Sequence, residues 1–107
     1  MPFDAFDRSV DLIRALAPVL RRLGEHDAEL TSQTRRAAQS VALNIAEANP
    51  RVGRDRRNRF RMALGSAAEV AACLQVAVAL GYVGSDDVAA AAALVDRVRA
   101  MTWRLAG

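Results

Sequence analysis

Residues Thr31 to Glu47 read T-S-Q-T-R-R-A-A-Q-S-V-A-L-N-I-A-E, and two interleaved spacings in this stretch decide the fold. Leu30, Thr34, Ala37, Val41, Ile45 and Ala48 recur at intervals of three and four, the signature of one helical face turned toward a core. Gln33, Arg36, Ser40, Asn44 and Glu47 form a second row at the same intervals, about 100° around the helix. A buried polar group without a hydrogen bond costs roughly 2 to 7 kcal/mol. The polar row therefore calls for an internal network or for a surface that faces another molecule.

The same periodicity extends outward in both directions. Phe6, Val10, Ile13, Ala17, Leu20 and Leu23 predict the inner stripe of a first helix that ends at Gly24. Pro18 within it removes a backbone donor, so a local irregularity is expected there. Asp27 is placed to cap the second helix, and Asn49, Pro50 and Gly53 break the chain after it. A third helix is predicted from about Arg54 to Leu80, with Phe60, Ala63, Ala67, Val70, Leu74 and Ala77 inward and Gly81 as its stop. Ser85 is the expected cap of a fourth, whose stripe is Val88, Ala91, Val95, Val98, Thr102 and Leu105. Period-two alternation is missing. The prediction is an all-α protein, one domain over residues 1–107, folded as an antiparallel up-down-up-down four-helix bundle. Alanine-rich stripes bring helices close but bury little area each, which favours an oligomer.

Bulk composition narrows the function classes. A chain of 107 residues with a single cysteine, Cys73, has no intrachain disulfide or cysteine-based zinc set, and a reducing cytoplasm is the expected compartment. No apolar run is read as approaching the roughly 18 to 20 residues needed to cross a bilayer, so no membrane partner is expected. Net charge is +3, and all fifteen basic residues are arginine, a side chain suited to bidentate contact with phosphate or carboxylate.

Six of those arginines, Arg51, Arg54, Arg56, Arg57, Arg59 and Arg61, crowd a segment whose one acid is Asp55. Those in the first turn of the third helix face the positive end of its dipole, which disfavours each by roughly 0.3 to 1 kcal/mol. Two sources of compensating charge stand open. Asp4, Asp7 and Asp11 at the start of the first helix reach the same end of the bundle, and so could a nucleic-acid backbone. Phe60 and Trp103 are candidates for stacking, and Trp103 falls outside its apolar stripe, as a subunit anchor, a base platform or a cover for the end of the core.

Met62, Ser66, Glu69 and Cys73 share a row on the third helix, so Gln33, Ser40, Asn44, Glu47, Ser66 and Glu69 are expected to form a buried network that fixes helix register. Gly65 is read as a point of close helix approach. Carboxylates in a helical bundle suggest a di-iron centre, but the Glu-x-x-His motifs that such a centre requires are missing. His26 sits in a loop, Cys73 reads as a small core residue, and no glycine-rich phosphate loop is present. No nucleophile, base and orienting group come together, so neither enzymatic activity, cofactor nor metal is expected.

The segments Leu30 to Gln33, Arg35 to Ala37, Ser40-Val41, Asn44 to Glu47, Arg51, Phe60 to Ala63, Gly65 to Glu69 and Leu80 to Val83 together resemble the bacterial four-helix bundle family. That family includes proteins encoded by intervening sequences within large-subunit ribosomal RNA genes. A related branch holds the accessory variability determinant of diversity-generating retroelements, a partner of reverse transcriptase. The resemblance implies a ring-shaped homopentamer with a basic surface that associates with RNA or DNA. An adaptor that docks a protein partner such as a reverse transcriptase, through Trp103, is the alternative it leaves open. One departure is local: the family usually has glycine after Asn-Ile-Ala-Glu, where this chain has Ala48, so the turn is expected to close at Asn49 or Gly53.

Overall fold

The computed structural model describes the backbone of residues 2–107 and the side chains of residues 4–107. These residues form four α-helices, α1 (Pro2–Gly24), α2 (Ala28–Ala48), α3 (Gly53–Ala79) and α4 (Ser85–Ala106), and no strand. Loops at 25–27, 49–52 and 80–84 are too short for anything but reversal of direction. Each helix packs against two others in the cyclic order α1, α2, α3, α4 and back to α1. The result is an up-down-up-down bundle measuring 43 × 22 × 19 Å. Its long axis is close to the rise of the 27-residue α3 at about 1.5 Å per residue.

Local chemistry sets the ends. Asp27 caps α2, its Oδ1 accepting from the Leu30 amide at 2.9 Å. Beyond α3, Gly81 takes a left-handed φ of 78°, which lets its own amide reach the Val78 carbonyl and the Tyr82 amide reach that of Ala77. This pair of bonds closes orphan carbonyls at the helix end. At the α2–α3 turn, Asn49 stays right-handed and the left-handed conformation falls to Gly53, at φ 60°. The cap of α4 lies one residue earlier than expected. Gly84 is the boundary, and the Asp87 carboxylate accepts from its amide at 2.7 Å. Ser85 is already helical, and the Asp87 carboxylate three residues past the boundary satisfies the Gly84 amide.

The inner stripe of α2 is buried as predicted, as is that of α3. In α4, Leu105 is only half-buried and Ala106 takes its place. In α1 the stripe is rotated. Ala5, Ser9, Leu12, Leu16, Val19 and Leu23 are buried, whereas Phe6, Val10, Ile13, Ala17 and Leu20 are half-buried beside them. Serine hid the true row from a hydropathy pattern, yet its hydroxyl donates to the Phe6 carbonyl at 2.6 Å and enters the core satisfied. Thr34 and Thr102 do the same toward Leu30 and Val98, at 2.7 and 2.6 Å. Helix α1 runs through the exposed Pro18 without interruption.

Two expectations about α3 need correction. Gly65 does not mediate close packing within the chain, since a Cβ there would meet nothing within 4 Å. Helix α3 is also long and apolar enough to cross a membrane by length and composition, with a window of mean hydropathy 1.6. Glu69 interrupts the segment, so it contains no unbroken apolar run of that length. One stripe of α3 lies in the bundle core, between α2 and α4, while Met62, Ala68, Ala72, Val76 and Leu80 face outward.

Candidate nucleic-acid interface

The turn between α2 and α3 brings the arginine-dense segment to one pole, and the structure sorts its members. Arg51 is committed internally. Its Nη1 donates to Asp55 at 2.7 Å, its Nη2 to the Glu47 carboxylate at 2.9 Å, and its Nε to the Glu47 carbonyl at 2.9 Å. The bond to Asp55, followed by that to Glu47, raises its pKa above the ordinary guanidinium value. This clasp ties the end of α2 to the first turn of α3. It also removes Glu47 from the expected network with Glu69, because Arg51, on its own strand of the turn, is the nearer cation.

Arg56 lies over the Phe60 ring, 5.1 Å from its centroid, with its Nε buried and unbonded. Phe60 is completely buried, so it cannot stack on a ligand, and the ring face instead compensates part of the charge above it. Arg59 is half-buried. The remaining three, Arg54, Arg57 and Arg61, share one face of α3 at spacings of three and four, and with Asn58 and Asp55 they line an open cleft of about 610 Å³. Since Arg51 holds Asp55, the field in this cleft is positive.

Of the aspartates of α1, neither Asp7 nor Asp11 pairs with these arginines. Asp11 is engaged within its own helix, by Arg14 at 3.2 Å and by Arg8, whose Nε lies 2.9 Å away with its N–H off the line of contact. Asp7 is exposed.

The polar row of α2 meets α3 in a seam along the surface rather than in the core. Ser40 and Ser66 join hydroxyls at 2.7 Å, Asn44 donates to the Ser40 carbonyl at 2.9 Å and to its hydroxyl at 3.1 Å, and Gln33 donates to Glu69 at 3.4 Å. The serines and Asn44 are half-buried; Gln33, Glu47 and Glu69 are exposed. A row 100° from the core stripe sits at the edge of the helix contact, which explains why its members pair across the boundary without being enclosed. Leu43, 64% exposed, and Met62 rise on the outer surface of α2 and α3.

Trp103 is 69% exposed and does not cover the core. It stands near Arg61 in a groove between α3 and α4 whose other walls are Leu64, Gly65, Ala68, Arg99 and Ala100. The opposite pole holds contacts that the sequence did not disclose: His26 stacks on Tyr82 at 5.1 Å, and Arg22 donates to Asp87 at 2.7 Å. These partners lie more than fifty residues apart, beyond the reach of any local pattern. Cys73 is buried, and among the described residues no three His, Cys, Asp or Glu side chains group as metal ligands would.

The fold and its pole define a class: small all-α bundles of four antiparallel helices with guanidinium groups gathered at one end. Within that class, a model of the 23S rRNA-intervening sequence protein matches residues 2–104, and the chain belongs to that family. A solved structure from Bacteroides thetaiotaomicron, described as a protein of unknown function from the S23 ribosomal protein family, is similar in fold. It has a TM-score of 0.87 at 18% identity, and the match covers 95% of this chain and 97% of that one. Comparison with curated proteins gave no match.

Proposed function

We propose that the chain is a non-enzymatic, homo-oligomeric bundle that holds RNA or DNA without sequence preference through Arg54, Arg57 and Arg61. The observation that carries this is the cleft itself: three guanidinium groups on one helical face, with the adjoining carboxylate already bound to Arg51. Such contacts position a phosphate backbone and leave the bases unread. The family's description, tied to 23S rRNA, agrees with a nucleic-acid partner.

A second copy of the chain is the proposed cover for the outer α2–α3 surface, where Leu43, Met62, Val76 and Leu80 are exposed beside the Ser40–Ser66 seam. The support is that Met62, Val76 and Leu80 fall on one outward row of α3, whose second half carries Glu69 and Gln75 as its exposed polar side chains. A closed ring, five copies in the reading that the family resemblance implies, repeats the cleft around an axis. Linked weak sites of this kind gain about 10² to 10⁴ in avidity without a new contact.

The test is binding of a labelled RNA and a labelled DNA as salt is raised from about 50 to 200 mM. Replacing Arg54, Arg57 and Arg61 together by serine should lower the slope of log K against log salt by roughly two to three. The charge-matched variant Arg21→Ser, Arg35→Ser, Arg97→Ser, which alters exposed arginines elsewhere, should retain most of it. Equal behaviour of the two variants would reject the cleft as the contact site.

A further inference from the structure

Resting on that assignment of the basic pole, we infer that the preferred ligand is a single strand, with an unpaired base laid against the Trp103 indole and its flanking phosphates held by Arg61 and Arg99. Trp103 is the largest exposed side chain on α4, outside the buried row of Val98, Thr102 and Ala106, and it shares a small hollow at the helix end with Ala106. The groove it lines, of about 570 Å³, is floored by Leu64, Gly65, Ala68 and Ala100, and no atom of a neighbouring helix lies within 4 Å of where a Gly65 side chain would begin. This is a flat, apolar recess with room for a base beside an aromatic wall.

Its surroundings are cationic. Arg61 lines this groove and also the cleft of Arg54 and Arg57, so the two adjoin at that side chain. Arg99 lines the groove as well and also borders a further hollow between α3 and α4, which it shares with Ala71, Val78, Ala92 and the carboxylate of Asp96. Neither Arg61 nor Arg99 has an ion-pair partner among the described residues. Arginines spaced along a track with an aromatic step between them match the way single strands are held, by backbone charge and stacking together. A duplex keeps its base faces inside the helix and offers none to an indole. Tryptophan and arginine are enriched in protein contacts as well; what favours a strand here is the run of arginines on either side of the indole.

Trp103 is the chain's one tryptophan, so its emission reports on this groove alone. Titration with an oligouridylate of about twelve nucleotides, within the usual range of single-strand sites, should quench that emission, and a duplex of equal length should bind more weakly and leave it unchanged. Trp103→Ala should weaken single-strand binding by about 5- to 100-fold, Trp103→Phe should restore part of the loss, and duplex binding should be indifferent to both. Binding of the two forms with equal affinity, without quenching and unaffected by Trp103→Ala, overturns the stacking site and leaves the basic cleft standing. Failure of both forms to bind overturns the cleft as well. Emission that is blue-shifted in the free assembly and moves to the red on dissociation shows that a second copy fills the groove, and retention of a protein partner at high salt that is lost in Trp103→Ala assigns the groove to that protein; either result overturns the proposal.

Discussion

The two poles of the bundle are built from similar materials and handle charge in opposite ways. At the α3–α4 turn, Arg22 meets Asp87, the same carboxylate caps the Gly84 amide, and His26 stacks on Tyr82 to bind one loop to the other. At the α2–α3 turn, one arginine closes a clasp with two acids and one lies over a buried ring, while three line an open cleft. The paired pole holds the chain together. The unpaired pole keeps repulsion that folding alone does not relieve, a condition suited to an outside anion.

The largest effect expected from breaking this contrast is at the unpaired pole but in its core. Phe60→Ala removes the largest fully buried side chain and the ring under Arg56, and unfolding in urea should show a loss of about 3 to 5 kcal/mol. Next comes the paired pole. Asp87→Ala deletes a cap contact and an ion pair together and should lower stability by about 1 to 2 kcal/mol, whereas Arg22→Ala removes only the exposed pair and should cost about 0.2 to 1 kcal/mol. Equal losses in the two variants would show that the amide contact contributes nothing. The smallest effect has the opposite sign. Arg54→Ser withdraws a cation from the start of α3 and should raise thermal stability by about 0.3 to 1 kcal/mol, even as nucleic-acid affinity falls. A variant less stable than the parent would mean that Arg54 has a structural partner.

The exposed apolar positions sharpen the same contrast along the length of the molecule. Leu43, Met62, Val76 and Leu80 lie on an outer surface without a cation cluster among them, while Trp103 lies between Arg61 and Arg99. Arginines on either side of an aromatic ring suit a charged strand, and exposed apolar area without them suits burial against another copy. Hence the division between a surface for another copy and a groove for an unpaired base.

What the sequence determined by itself was the architecture. Intervals of three and four, with Asp27, Gly53 and Gly81 at the breaks, suffice for four helices and for the inner rows of α2 and α3, because helix formation and termination depend on residues within a few positions of each other. The concentration of arginine at one pole was equally legible, since topology alone brings that segment to an end of the bundle. The stripe of α1 was not, because Ser9 conceals its hydroxyl within the preceding turn. Only the tertiary structure decided which arginines are occupied and which are available, that the polar row makes a surface seam, and that Phe60 is enclosed while Trp103 is open. Those outcomes depend on how helices rotate against one another and on contacts between residues far apart in the chain, such as Arg22 with Asp87, and periodicity along one helix contains no record of either.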